Sequence, residues 1–433
     1  MPRDIPISNG SLLLNFGSDY QIRDIYFPFI GQEHHSAGDP FRFGVWVDGS
    51  CSWMGPEWKK DLRYQDDSLV TKVFLKSEAL GLELRCADMV DTDLNVYIKK
   101  VEVTNMQGNE RQVKLFFSHD FHLYGNSIGD TAYFDPRTSS IIHYKGKRYF
   151  LINYCYSGKC GVEHYACGDK QKPGREGTWK DADEDGELSG NQVSWGAADS
   201  TIGIWLQLPP GGKAEAFYWI AAGTHYNEVA QLNRDVIEKT PSELIKRTSE
   251  FWGAWAHKES KSFGDLPEAV TGIFNRSLLI LRTQIDNGGA ITAANDSDIG
   301  LFRRDTYSYM WGRDGAFVAA ALAKAGYLHI CRRFFEFCSR VLSDEGYLYQ
   351  RYNPDGSLAS NWHPRLVDGK EVLPIQEDST ALIIWALWIH YENAKDIEFI
   401  KPLYKNLIQK SADFLVNHRD SETLLPMPCY DLW

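Results

Sequence analysis

An N-terminal β-sandwich followed by a barrel of packed helices is the fold this sequence predicts, and three observations predict it. From about residue 10 to residue 224 the chain is a series of short strand-like runs separated by turn residues. From residue 266 onward it repeats one theme, an apolar helix and then a loop rich in Gly, Asp and aromatics. Between the two lies a charged helical stretch interrupted by Pro241. At 433 residues there is room for two or three domains.

The strand runs fall at residues 12–16, 22–27, 41–47, 70–75, 82–86, 96–103, 113–117, 202–208 and 214–222. Several alternate apolar with polar, as in Leu82-Glu83-Leu84-Arg85-Cys86, the signature of a sheet with one face on a core. Turn chemistry separates them, for example Asn105-Met106-Gln107-Gly108-Asn109 and Pro209-Pro210-Gly211-Gly212. Many short antiparallel strands in one block imply a sandwich over residues 1–224. Residues 225–264 read as a helical linker, and residues 265–433 as the helical domain. There Leu266, Val270, Ile273, Phe274, Ser277, Leu278, Leu281 and Ile285 share one helical face. Further helices are expected at 314–325, 328–342, 378–393 and 398–418. Several are apolar nearly all round, as two concentric layers of helices require.

Composition narrows the function. Hydrophobic residues make up 43% and charged residues 24% of the chain, an ordinary globular balance. Aromatics reach 13%, with 14 Trp, more than packing usually requires, which suits stacking on sugar rings. A net charge of −12 argues against nucleic acid or an anionic membrane as a partner. No basic segment followed by an apolar one opens the chain, so no secretory signal is expected. No stretch approaches the roughly 18 apolar residues of a membrane span. Cys155, Cys160 and Cys167 are the only close group of three cysteines and match no zinc spacing, so reduced, mostly buried thiols in a cytoplasmic protein are expected. No P-loop, nucleophile elbow or H-E-x-x-H is present, and neither a metal nor a cofactor is expected. The run from Asp181 to Gly186 has the spacing of half a calcium loop. Its twelfth position is Gln192, so it reads as a solvated loop. His34-His35 and His119-Asp120 lack a third ligand or a nucleophile nearby and read as structural.

The residues with chemistry to offer sit where helices begin. Tyr307-Ser308-Tyr309-Met310-Trp311-Gly312-Arg313-Asp314 packs three rings and an Arg–Asp pair into one short segment. A pyranose needs both, because its C–H face stacks on rings and its hydroxyls take charged, bidentate partners. Gly312 and Gly315 flank the charged pair, which suits a helix mouth. Gln376-Glu377-Asp378 opens a second apolar helix, where carboxylates complement the helix dipole and its free N–H groups. Trp362 offers another ring in the loop before it. Tyr430-Asp431-Leu432-Trp433, after two prolines, reads as the extended entry to one more helix opening. In a helical barrel such openings converge at one end.

Taken together these motifs resemble glycoside hydrolase family 15, the glucoamylase, glucodextranase and bacterial trehalase group. The block Arg23-Asp24-Ile25-Tyr26-Phe27-Pro28 with Gly31-Gln32-Glu33-His34 is similar to the sandwich domain of its prokaryotic members. The resemblance implies a β-supersandwich followed by an (α/α)6 barrel, of which this chain encodes the first part, an incomplete barrel. It implies inverting exo-hydrolysis of α-glucosidic bonds from non-reducing ends, on an α-glucan or α-glucoside oligosaccharide, and leaves α-1,4, α-1,6 and α,α-1,1 linkages open. Tyr307 and Trp311 would wall the glucose subsite, and Arg313 and Asp314 would bind sugar hydroxyls. Trp362, Glu377 and Asp378 would flank the acceptor side, the Leu432 carbonyl would contact a hydroxyl, and Asp431 and Trp433 would shape the pocket. In the family this last motif runs on into the general-acid Glu, whereas this chain ends at Trp433, and the general base lies further on still. Inversion needs two carboxyls about 6.5 to 9.5 Å apart. The 433-residue chain is therefore expected to be truncated and catalytically inactive as it stands. A disaccharide phosphorylase of similar architecture and a non-catalytic glucan-binding protein are the alternatives.

Overall fold

The computed structural model describes residues 5–171, 174–259, 263–295, 306–360, 366–367, 369–371 and 373–427. The chain divides into two compact units. One comprises Met1–Pro28, Glu33–Lys258 and Phe263–Leu279; the other comprises Phe29–Gln32, Glu259–Ser262 and Ile280–Trp433.

The first unit is a β-sandwich. Its larger sheet runs, in spatial order, Val193–Gly196, Asp130–Asp135, Ser140–Lys145, Arg148–Tyr156, Lys213–Gly223, Val96–Asn105, Leu82–Val90, Thr71–Ser77 and Lys59–Tyr64, with Lys159–Cys160 paired onto Arg148–Tyr156. The second sheet runs His164–Asp169, Ala198–Leu208, Arg111–His119, Arg42–Val47 and Ser50–Trp53. Alternation sets which side chains go inward: Leu82, Leu84 and Cys86 are buried while Arg85 faces water. Val45, Leu115 and Ile204 from one sheet meet Val101, Ile152 and Ile220 from the other in a single core. A buried carboxylate is fully engaged inside it. Asp88 takes hydrogen bonds from Tyr20 at 2.6 Å and from Tyr97 and Thr71 at 2.7 Å, and pairs with Lys99 at 2.7 Å. Removing one partner of such a cluster leaves a buried charge uncompensated, at a cost of about 3–5 kcal/mol.

Helix α1 (Thr178–Glu184) takes the place of the expected loop, while Asp181, Glu184 and Asp185 are exposed to solvent as expected. The Thr178 N–H donates to buried Asp199 at 2.9 Å and Ala182 is wholly buried, so the acidic run is held as a turn of helix against the sandwich. Cys155 and Cys160 correct a second expectation. They lie directly opposite in a tight hairpin, with Cα atoms 4.1 Å apart, and form a disulfide. Cys86, Cys167, Cys331 and Cys338 are free thiols. The charged stretch forms α2 (Tyr226–Lys239) and α3 (Pro241–Ala256). Thr240, at φ +62°, breaks the helix, and Pro241 restarts it at the position where its missing N–H costs nothing. Val229, Val236 and Leu244 pack these helices on Ile98, Leu151 and Trp219 of the larger sheet.

Helix α4 (Glu268–Thr283) leads into the second unit, which is helical. It contains α5 (Gly312–Lys324), α6 (Leu328–Val341), α7 (Glu377–Ala394), α8 (Ile397–Leu403) and α9 (Lys410–Asn417). The single helix expected at 398–418 is interrupted. Pro402 lies inside α8, and a π-helical segment, Tyr404–Gln409, separates α8 from α9. Ala316, Ala319, Ala320 and Ala323 of α5 are buried, as are Phe334 and Phe335 of α6 and Ile383, Ala386 and Leu387 of α7. Phe317, Trp385 and Trp388 are exposed, so α5 and α7 carry apolar side chains outward as well as inward. No helix among the described residues is long and apolar enough to cross a membrane.

The sandwich buries three imidazoles around Phe27, Ser200 and Tyr218. His35 bonds the Phe27 carbonyl at 2.7 Å, and His119 and His143 share the Ser200 hydroxyl at 3.0 and 2.8 Å. Burial pushes His35 and His119 down to about 3 and His143 well below its usual value. Between pH 3 and about 6.5 the unfolded chain thus binds more protons at these sites, and stability falls as the pH drops through that window. Buried Asp199, pushed up to about 7, acts oppositely and favours the fold as pH falls. With three imidazoles against one carboxyl, calorimetry from pH 7 to pH 5 is expected to show a falling thermal midpoint for this unit. His119→Gln is expected to flatten that slope, and a midpoint indifferent to pH would contradict the assignment.

Candidate functional site

Residues 307–311 pass between two neighbours, bending at Tyr307 and Tyr309 before the short strand Met310–Trp311. On one side Ala293 and Ala294 donate N–H bonds to the Tyr309 and Tyr307 carbonyls, at 2.9 and 3.2 Å. On the other, Met310–Trp311 pairs antiparallel with Arg351–Tyr352, placing Trp311 opposite Arg351. The bends bring the rings of Tyr307, Tyr309 and Trp311 together. The Tyr309 and Trp311 rings meet edge to face at 5.7 Å, and those of Tyr307 and Trp311 lie at 5.6 Å with 34° between planes. Tyr307 is 36% exposed and Trp311 only 5%. The open ring of this shelf is therefore Tyr307, with Trp311 packed behind it rather than forming an open wall. The shelf is pressed from below by the turn Phe29–Gln32. A Cβ on Gly31 (φ +91°) would lie 2.9 Å from the Ser308 carbonyl and 3.0 Å from Asn295 Oδ1, so only glycine fits. The same turn is anchored by the Ile30 N–H donating to Asp286 at 3.0 Å; burial pushes that carboxyl up to about 6.

The charged pair lies immediately beyond the shelf. Trp311 caps α5 without a side-chain cap bond, and Arg313 and Asp314 occupy the first turn. A Cβ on Gly312 would stand 3.1 Å from Ser379 Cβ and 3.3 Å from Leu348 Cδ1, which shows how closely the mouth of α5 meets that of α7. Across this contact Arg313 Nη1 donates to Asp378 Oδ2 at 2.7 Å. Both side chains are partly exposed, so the pair adds at most about 1 kcal/mol to stability; its effect is to orient the guanidinium. Asp314 is exposed. Crowding of its carboxyl by the surrounding protein, with a further push from Asp378, raises it above the usual carboxylate range against the pull of Arg313.

At the mouth of α7, Gln376 makes no side-chain cap bond, so the capping role open to this cluster is not taken up by Gln376. Gln376 Oε1, Asp378 Oδ1 and Ser379 Oγ are buried and have no hydrogen-bond partner among the described residues. More than nine in ten buried polar groups are paired in folded proteins, with protein or with ordered water, so this helix mouth is a polar one. A polyol supplies hydroxyls that both donate and accept.

Of the residues singled out in the sequence, the structure brings together Tyr307, Trp311, Arg313, Asp314 and Asp378. Trp362, Asp431, Leu432 and Trp433 lie outside the described residues, as does the side chain of Glu377, whose main chain opens α7. Arg351, Gly31 and Ser379 join the site without having been foreseen. Arg351 and Gly31 meet the site only through contact with a segment distant in sequence, whereas Ser379 simply follows Asp378 at the mouth of α7. Among the described residues Asp39, Asp120 and His122 group within metal-binding reach. Lys170, 2.8 Å from Asp120, already supplies positive charge there, and His122 contacts Asp39 at 2.8 Å.

Residues 271–433 match the family described as Glycosyl hydrolases family 15. Over 439 aligned residues the chain is 26% identical to an uncharacterized glycosyl hydrolase of Methanocaldococcus jannaschii, with 99% of this chain and 65% of that protein covered. It is 27% identical over 157 residues to trehalase 2 of Sulfolobus acidocaldarius, covering 32% of this chain and 27% of that protein. Among solved structures, a bacterial glucoamylase complexed with acarbose superposes with a TM-score of 0.71 at 16% identity, covering 95% of this chain and 57% of the other. A putative kojibiose phosphorylase from the human microbiome gives 0.62 at 9% identity, covering 97% and 58%. The chain thus spans somewhat under two thirds of the length of the relative it matches throughout.

The helix contacts that place Arg313 against Asp378 depend on small residues. A Cβ on Gly315 would lie 2.4 Å from the Phe334 ring. Gly315→Ala is expected to destabilise the helical unit by about 1–3 kcal/mol, as overpacking does. Denaturant unfolding checks this, and an unchanged midpoint would mean that α5 and α6 have slack between them.

Proposed function

From a chain that is of the glycosyl hydrolase family 15 type, we propose a protein that holds the non-reducing end of an α-glucan or α-glucoside oligosaccharide for inverting exo-hydrolysis. The observation that carries this is the guanidinium–carboxylate pair of Arg313 and Asp378 beside the exposed Tyr307 ring, at a helix mouth that also presents the polar atoms of Gln376 and Ser379. Rings take the apolar face of a pyranose, and a fixed Arg–Asp pair takes vicinal hydroxyls bidentately. Arg313 and Asp314 bind hydroxyls of the terminal glucose in this proposal, Tyr307 stacks on it, and Asp378 holds Arg313 in register. Trp362, Glu377, Asp431, Leu432 and Trp433 complete the pocket on the acceptor side. A cytoplasmic location belongs to the same proposal.

Inversion requires a carboxylic acid to protonate the leaving oxygen and a carboxylate to activate water on the opposite face. Each such group is typically worth about 10² to 10⁴ in rate. We assign to residues 1–433 the sugar-holding face and not this catalytic pair. A polypeptide of those residues alone is expected to bind maltose, isomaltose or trehalose calorimetrically and to release no glucose. Glucose release from it would overturn the assignment. A phosphate-dependent yield of glucose 1-phosphate from the native protein would favour a disaccharide phosphorylase instead.

Arg313→Met is expected to weaken the preferred disaccharide at least about tenfold, or about 1.4 kcal/mol, by removing the bidentate donor and leaving Asp378 unpaired. Titration calorimetry reads this directly. Equal affinity in the variant would remove Arg313 from the site.

A further inference from the structure

We propose that Arg351 is the positioning residue of the aromatic shelf: its guanidinium fixes the planes of Tyr309 and Trp311 and thereby the angle at which Tyr307 meets a sugar. The proposal rests on the sugar-binding reading of the site and assigns a part to a residue that touches no substrate.

Arg351 is 2% exposed. Burying a guanidinium is costly unless it is stacked and hydrogen-bonded. Here its Cζ stands 4.4 Å from the Tyr309 ring centroid and 5.5 Å from that of Trp311. Its Nε donates to the Ser360 carbonyl, and an Nη lies 3.5 Å from the Ser360 hydroxyl. The main chain leaves it little choice of position, since Arg351 is the cross-strand partner of Trp311 in their two-stranded ribbon. Desolvated cation–π contacts are strong enough to hold one ring orientation against its alternatives. From Tyr309 the constraint passes through the edge-to-face contact with Trp311 to the tilted contact with Tyr307. Arg351 covers the inner side of the shelf, and Tyr307 is its most exposed ring. A lysine in its place would keep the charge but lose the planar fork that stacks and reaches Ser360 together.

The test uses Arg351→Met, Arg351→Lys and Tyr309→Leu in the otherwise unchanged protein, with two readouts. Near-ultraviolet circular dichroism without sugar reports the ring geometry, and titration calorimetry with maltose reports its consequence. Arg351→Met is expected to alter the near-ultraviolet aromatic bands while leaving the far-ultraviolet spectrum intact, and to weaken maltose about tenfold or more. Arg351→Lys should fall between it and the parent. In the Tyr309→Leu background the Arg351 substitutions should add little further loss, which a merely structural role elsewhere would not produce. Should both Arg351 variants fail to fold, Tyr309→Leu alone carries the test through the same two signals. Unchanged near-ultraviolet spectra, or changed spectra with full maltose affinity, would overturn the proposal. If the parent protein binds neither maltose nor isomaltose nor trehalose, the sugar-binding reading fails, and the ring spectra still decide whether Arg351 sets the shelf.

Discussion

The candidate site depends on how closely two helix mouths can approach. Gly312 meets the backbone and Cβ of Ser379 with no room for a methyl group to sit at ease, and Gly315 leaves still less room beneath Phe334. That approach turns Arg313 and Asp378, 65 residues apart, into a hydrogen-bonded pair. The ion pair does not create the contact; exposed charges are worth too little for that. Burial of alanine-rich and aromatic surface between α5, α6 and α7 draws the helices together, and the glycines permit it. The charged pair then takes the orientation the helices impose.

A second constraint acts on the aromatic side. Tyr307, Tyr309 and Trp311 belong to no long strand, yet their carbonyls and N–H groups are held from both sides by short pairings. Ring contacts and a buried guanidinium lock the side chains, and the Gly31 turn closes the space behind Ser308. Rigidity of this kind fits recognition of a polyol. Each sugar hydroxyl is weakly bound by itself, and affinity accrues when several partners are already in position. Gln376, Asp378 and Ser379 add buried polar atoms to the same helix mouth.

Much of the fold was legible from period alone. The alternation in Leu82-Glu83-Leu84-Arg85-Cys86 became a strand with those apolar residues inside, and the apolar periods at 314–325, 328–342 and 378–393 became α5, α6 and α7. The readings that failed did so where tertiary contacts overrode local preference. The acidic run around Asp181 looked like a loop, but Asp199 and the burial of Ala182 hold it helical. Cys155 and Cys160 looked like separate thiols because their separation along the chain says nothing of a hairpin that sets them face to face. The helix read through 398–418 contains Pro402, which cannot donate to the ladder, and the chain adjusts through a π-helical turn.

By itself the sequence determined that this protein has a sheet-rich half and a helix-rich half, and that rings and an Arg–Asp pair crowd the start of one helix. These follow from periodicity and side-chain chemistry, which are local properties of a chain. Only the tertiary structure decided that Arg313 pairs with Asp378 rather than with its neighbour Asp314, that Trp311 is spent on packing while Tyr307 stays open, and that Arg351 lies beneath both rings. Those outcomes depend on which distant backbones can approach within a few ångströms, and steric fit between segments far apart in the chain is not written in any one of them.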